Sequence, residues 1–360
     1  LPGSRSPGPR AESTGPKLTA LTSKGSHPML HTPPRVGLVG AGGISHAHAP
    51  GLLELGASVT VFSEHGAEEL SRRYGFTVAS TFDELLERSE VVDICTPTSS
   101  HLEYVGAALA AGRHVICEKP VSLDPEAAAE LGRTAEARGL GLFPAHVVRW
   151  FPAYVAAQRA VSCGELGSPA VLRFSRIGEY PSWSQWFADE QHSGGIVADQ
   201  MIHDLDIARW IAGEVVEVFA TRVADDTAPA VSAQVLLTHE NDAISAVNGI
   251  WGAAGTTFRT AFSIAGDQGM LRYDSTESGS FRLDGGKGDG GASDRPDSSF
   301  TESPYLLELR EFIDAVRGGA TPRVTWADGI RAVEIALAAN ASIATGQPVR
   351  VSEPSRKAAA

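Results

Sequence analysis

Cysteine is scarce in this 360-residue chain: there are three, Cys95, Cys117 and Cys163, with no CxxC spacing. An odd, unclustered set excludes a disulfide framework and a cysteine-built metal centre. It fits small core residues in a reducing compartment, hence the expectation of a cytoplasmic protein. Positive charge is short as well. Lys and Arg number 30 against 43 Asp and Glu, a net charge of −13. That balance argues against nucleic acid or an anionic membrane as the main partner. No apolar run reaches the roughly 18 residues of a membrane span. Residues 1–33 lack periodicity and are rich in Pro, Gly and Ser. They cannot bury enough apolar area to offset their ordering entropy, and they have no apolar secretion-signal core. A disordered tail outside the fold is expected there. A second low-complexity patch, DGGKGDGGASDRPDSS (284–299), reads as a surface loop.

The remainder is ordinary globular sequence, 42% hydrophobic and 20% charged, with length for two domains. From Arg35 strand and helix patterns alternate. VGLVG (36–40), SVTVFS (58–63), VVDICTP (91–97), HVICEKP (114–120) and GLFPAH (141–146) read as strands. Between them, HAHAPGLLELG (46–56), AEELSRRYG (67–75), FDELLERS (82–89), EYVGAALAAG (103–112) and the stretch after Asp124 read as helices. Asp124 is a good N-cap with Pro at the first helical position. Such alternation implies right-handed crossovers and a doubly wound parallel sheet. After Arg149 the texture changes. Six strand-like segments between 170 and 275 show alternation and turn signals that predict a large antiparallel sheet, followed by helices at 305–319 and 326–346.

Three places carry chemistry. Gly40-Ala-Gly42-Gly43-Ile44-Ser45 follows the first strand and opens the first helix. In that context Gly40 permits a tight turn, and Gly42 lets the backbone approach a pyrophosphate at the helix N-terminus. The ribose-reading position, some twenty residues on, is Ser63; Glu64 beside it and the lack of an adjacent arginine favour NAD over NADP. The second place is Glu118-Lys119-Pro120, charges at the carboxyl end of a core strand, where parallel sheets bind ligands. The third is the apolar helix 194–213, which carries Asp199 and His203 at i and i+4 and Asp206 further along. A carboxylate beside an imidazole suits a general acid/base. An N-terminal Asp plus a core histidine is the alternative, and a metal pair has no evident third and fourth ligands, so no metal is expected.

Taken in order, Gly40–Ser45, CTPTSSH (95–101), EKP (118–120), HVVRWFPAY (146–154) and GGIVADQMIHDLD (194–206) resemble the Gfo/Idh/MocA family of NAD(P)-dependent oxidoreductases. The resemblance spans about 35–350. It implies an α/β chain: a dinucleotide-binding Rossmann domain over 34–147, then an α/β domain over 148–350 for substrate and oligomerisation. The open, mostly antiparallel sheet of that second domain would pair subunits as a homodimer or homotetramer. The resemblance places cofactor contacts on Gly40, Gly42, Gly43, Ile44, Ser63, Thr96, Pro97, His101, Glu118 and Lys119, and a catalytic trio on Lys119, Asp199 and His203. It also implies a cis bond before Pro120. Three residues depart from the family pattern: Ser45 and Ser63 at cofactor positions, and Met201 where a glycine is common, beside the expected pocket.

The implied activity is hydride transfer between NAD or NADP and a secondary alcohol or ketone carbon. His203 would move the proton, oriented by Asp199, with Lys119 holding the substrate oxygen. Glu118 would fix the cofactor end of the site or pair with a neighbouring cation. Arg149 would reach the substrate or form a structural ion pair. Trp183 and Trp186 precede the catalytic helix; an aromatic face there would stack on a sugar, sugar acid or inositol, or fill the core. The rival readings are a non-catalytic, cofactor-bound sensor on the same fold and a reductase of a non-sugar substrate.

Overall fold

The apolar strand β1 (Arg35–Val39) lies inside a six-stranded sheet of the computed structural model, which describes residues 32–182, 185–225, 230–277, 281–285, 293–295 and 302–351. Most of the expected tail, the rest of the 284–299 patch and Trp183 lie outside the described residues. β1 is followed by α1 (Gly43–Glu54), β2 (Ser58–Phe62), α2 (Ala67–Tyr74), β3 (Thr77–Val78), α3 (Phe82–Arg88) and β4 (Val91–Ile94). Then come α4 (His101–Ala110), β5 (His114–Glu118), α5 (Pro125–Ala137) and β6 (Leu142–Ala145). The strand order is β3-β2-β1-β4-β5-β6, with every pair parallel. The chain reverses its winding between β1 and β4, so the carboxyl ends there flank a crevice. The two-residue β3 was not legible in the sequence because TV is too short to show a period.

Local signals read from the sequence do their work here. Gly75 ends α2 with φ 77°, the left-handed cap that glycine favours. The Asp124 carboxylate accepts from the backbone N–H groups of Glu126 and Ala127 at 3.1 and 3.0 Å, with Pro125 opening α5.

The second half adds α6 (Pro152–Ser162), β7 (Pro169–Glu179) and the one-turn α7 (Glu190–Ser193). A π-turn over Val197–Met201 runs into α8 (Ile202–Ala212). Strands β8 (Val215–Asp225), β9 (Ala230–His239), β10 (Ile244–Gly252), β11 (Arg259–Gly266), β12 (Gly269–Asp274), β13 (Phe281–Gly285) and β14 (Ser293–Arg295) follow. Helices α9 (Pro304–Val316) and α10 (Trp326–Thr345) and strand β15 (Val349–Arg350) close the chain. The nine-stranded sheet runs β14-β13-β12-β11-β7-β10-β9-β8-β15. It is antiparallel except where β10 lies parallel to β7. That exception arises because the chain leaves β7, crosses over through α8 and re-enters the sheet at β8, so β10 arrives beside β7 in the same direction.

One face of this sheet is covered. Ile207, Ala208 and Ile211 of α8 and Ile335, Ala336 and Ala339 of α10 pack on Val218, Val235, Leu237 and Val247. α9 packs on the first sheet instead, with Phe312 stacked on Phe143 at 5.0 Å. The described residues from Pro33 to Val351 fall in one compact unit. Among the described residues no helix is long and apolar enough to cross a membrane. Replacing Asp124 with Ala leaves two N–H groups of α5 without their cap; urea denaturation should show a loss of about 1 kcal/mol with an unchanged m-value.

Candidate active site

The turn after β1 is shaped for an anion. Gly40 sits at φ 99°, and a Cβ there would meet the Cys95 carbonyl oxygen at 2.7 Å. Gly42 and Gly43 face open space, with nothing within 4 Å of an added Cβ. Gly42 caps α1 without any side-chain bond to its first N–H groups. Donors and helix dipole are thus left for a ligand, and the missing Cβ atoms admit one closely, which fits a dinucleotide pyrophosphate. Ser45 is buried, and its hydroxyl donates to the Gly40 carbonyl at 3.0 Å; this departure from the family pattern closes the turn. Ile44 packs on the core under β1. Ser63 spends its hydroxyl on the His65 carbonyl at 2.7 Å.

The ends of β4 and β5 meet beyond that turn. The His101 ring lies 2.8 Å from the Thr96 carbonyl and 2.9 Å from the Pro120 carbonyl, so it ties the two strand-end loops together. Thr96 accepts from Ser100 at 2.8 Å, and Pro97 is exposed beside it. The Lys119–Pro120 peptide is cis. Glu118 is buried. One of its oxygens lies 3.2 Å from His48 Nε2 and the other accepts from the Lys119 N–H at 3.1 Å. Burial alone would raise the Glu118 pKa; the bond and charge of His48 bring it below the usual value.

Lys119 Nζ donates to the Asp199 carboxylate at 3.0 Å and to the Asp199 carbonyl at 2.7 Å. Asp199 lies in the π-turn, a distortion that concentrates at functional sites. Lys119, Asp199 and His203 line one cavity of about 700 Å³. The expected Asp199–His203 pair is therefore replaced by an Asp199–Lys119 pair. His203 Nδ1 is buried with no hydrogen-bond partner among the described residues, which leaves Nε2 for the cavity. Burial first, then the Lys119 and Arg176 charges, hold the His203 pKa well below its usual value. The ring is a neutral base at pH 7.

Two of the remaining assignments fall elsewhere. Arg149 does not line the cavity. It is buried and bidentate to Asp206 at 2.6 and 2.8 Å, so the structural ion pair is the arrangement found. Met201 is fully buried against Gly249 of β10, in the core and not at the pocket, because it points away from the face that carries Asp199. The aromatic wall is built from Phe151, Phe187, Trp251 and Phe258, while Trp186 stacks on Phe187 at 4.2 Å. Sequence reasoning missed Arg176, which lines the cavity from β7 and is bidentate to Asp204 at 2.8 and 2.9 Å. The signal for it was Asp204, the first acid in HDLD: a carboxylate buried in an apolar helix needs a partner.

Two family profiles match the chain: an oxidoreductase family with an NAD-binding Rossmann fold over residues 34–146 and the GFO/IDH/MocA C-terminal domain over 154–272. The chain belongs to the Gfo/Idh/MocA family of oxidoreductases. It is 29% identical to a myo-inositol 2-dehydrogenase of Thermotoga maritima, over 89% of this chain and 99% of that protein. It is 28% identical to a Bacillus subtilis scyllo-inositol 2-dehydrogenase (NAD(+)), over 88% and 96%. The structure of GenD2 from gentamicin A biosynthesis in complex with NAD superposes with a TM-score of 0.78 at 25% identity, covering 89% of this chain and 97% of that one. This member is an NAD-binding dehydrogenase or reductase whose α/β architecture is the family's.

In a Gly40→Ala variant the new methyl group collides with the Cys95 carbonyl at a positive φ. NADH titration by fluorescence should show at least tenfold weaker binding, whereas Ser63→Ala, which removes only a local bond, should stay within about threefold.

Proposed function

We propose that this protein transfers hydride between NAD and a secondary alcohol or ketone carbon of a sugar, sugar acid or inositol-like polyol. The observation that carries the reading is the convergence of Lys119, Asp199 and His203 on one aromatic-walled cavity at the carboxyl end of β5. Inositol dehydrogenase names among the relatives favour a polyhydroxylated substrate. The aromatic wall offers flat faces to ring C–H groups, and Arg176 and Lys119 offer donors to hydroxyls.

The Gly40–Ile44 turn, with Glu118 and Lys119 at the strand end beyond it, would hold NAD, which would supply the redox chemistry. The chain's own residues handle the oxygen and its proton. In the oxidation direction, Lys119 Nζ donates to the substrate oxygen and stabilises negative charge as it develops there. His203 Nε2, neutral before reaction, accepts the hydroxyl proton. Asp199 serves Lys119: it anchors the ammonium between strand end and helix. In reduction the proton returns from His203 to the oxygen. A sensor without turnover would have no use for a neutral base beside an anchored ammonium, and this favours catalysis.

With the substrate identified by screening polyols, sugars and sugar acids with NAD and NADH, Lys119→Ala and His203→Ala should each lower kcat by about 10²–10³ while NADH still binds. Near-wild-type turnover in either would remove that residue from the mechanism. Because the folded pKa of His203 is depressed, the acidic limb of the wild-type kcat/KM profile should lie below about pH 6.5. Lys119→Gln removes one of the charges that depress it, so the limb of the residual activity should move to higher pH.

Subunit pairing through the open face of the second sheet belongs to the same reading. Phe219, Val223, Leu236 and Ile244 are exposed there, and Phe219 sits opposite Leu236 across the β8–β9 ladder. Sedimentation should show a dimer or tetramer, and Leu236→Glu should shift it towards monomer; a wild-type monomer would refute the pairing.

A further inference from the structure

Behind the cavity lies a buried polar cluster that the proposed mechanism does not use. His48 projects from α1, in the helix that opens at the pyrophosphate turn, and is fully buried. Its Nδ1 lies 2.9 Å from an Asp93 oxygen at the end of β4, and its Nε2 lies 3.2 Å from a Glu118 oxygen at the end of β5. A neutral imidazole has one donor and one acceptor nitrogen, so against two carboxylates it would press a lone pair on an anion. The doubly protonated ring donates to both.

We propose that His48 is a positioning residue kept as an imidazolium between the Asp93 and Glu118 carboxylates, and that this clamp sets the backbone of Lys119. The second half of the proposal rests on the reading of Lys119 as the substrate-holding cation. The linkage is continuous. His48 holds one Glu118 oxygen, the other Glu118 oxygen holds the Lys119 N–H, and Lys119 Nζ reaches Asp199 in the π-turn. The same helix thus presents its N-terminus to the cofactor and its His48 to the strand end that carries the ammonium.

The groups facing His48 agree. Asp93 and Cys95 approach from β4 and the residue beyond it, Glu118 from β5, and Tyr305 and Glu308 from α9, with the Tyr305 ring 5.8 Å away. Burial opposes charge on His48, yet Asp93 and its neighbours bring its pKa well above the usual value. Burial pushes the Cys95 thiol up to about 12 and the Glu308 carboxyl well above its usual range, so both are neutral. The charged members are the imidazolium and its two carboxylates. The ligand atoms of His48, Asp93 and Cys95 lie within 4.8 Å of one another, so a metal ion is the competing occupant; it would have to displace the His48–Asp93 bond.

Ring-nitrogen NMR on the 15N-histidine-labelled full chain with NADH tests the first half. Both His48 nitrogens should read as protonated at pH 7, and a single unprotonated nitrogen there would overturn the clamp. The signals are assigned by their loss in His48→Gln or, if that variant does not fold, by their displacement in Glu118→Gln. One equivalent of metal in the purified protein by elemental analysis would likewise overturn it.

The second half is read on lysine. Lys119 is the one lysine between residues 25 and 286, so its 13Cε signal is resolved in lysine-labelled protein and assigned by Lys119→Arg. Glu118→Gln and His48→Gln should both displace it, with kcat down about tenfold or more, and in His48→Gln NADH affinity should stay within about threefold. An unmoved Lys119 signal in both variants would refute the positioning role. If Lys119→Ala keeps full turnover while the ring stays doubly protonated, the catalytic reading falls and the clamp stands.

Discussion

The pair formed by Lys119 and Asp199 joins two stretches of chain eighty residues apart in sequence. Lys119 stands at the carboxyl end of β5 in the parallel sheet, and Asp199 stands in the π-turn ahead of α8. Both side chains are mostly buried, at 14% and 19% exposure, so neither charge is fully hydrated and each requires the other. Their contact brings an ammonium, a neutral imidazole and an aromatic wall around one volume. The glycine turn after β1 opens on the same edge because parallel strands all end on the same edge of the sheet.

Holding α8 still is the second requirement, and it is met in an unusual way for an apolar helix. Asp204 and Asp206 are both buried, and each is gripped by a bidentate arginine from outside the helix, Arg176 of β7 and Arg149 after β6. Such pairs add little net stability over apolar packing, but breaking one leaves a buried charge and costs about 3–5 kcal/mol. They define one rotation of α8 against both sheets. His203, one residue before Asp204, inherits that orientation without a hydrogen bond to its own Nδ1. Arg176 has a second consequence, since its charge contributes to keeping His203 neutral.

Much of this was legible in the residues. The alternation of strand and helix, the N-cap at Asp124, the glycine turn and the ends of most elements follow from local rules: period, capping and the freedom of glycine at positive φ. The α6 helix over Pro152–Ser162 went unread beside the motif that precedes it, and β3 was too short to read. Partners were harder. Asp199 and His203 at i and i+4 suggested a pair, yet the carboxylate had a stronger claimant in Lys119, eighty residues away in sequence. Arg149 carried the right charge for a substrate contact, and Asp206 took it instead. Met201 was placed near the pocket by its neighbours in sequence, while the helix turned it into the core.

The sequence by itself determined the kinds of element, their order, the glycine turn after β1 and the titratable residue types that the cavity collects. Those properties are local, written in spacing over a few residues. Tertiary structure decided which charge neutralises which: Lys119 with Asp199, Arg176 with Asp204, Arg149 with Asp206, and His48 with both Asp93 and Glu118. The physical reason is that a buried charge is satisfied by whatever the fold brings within about 3 Å, a distance that carries no trace in the spacing along the chain.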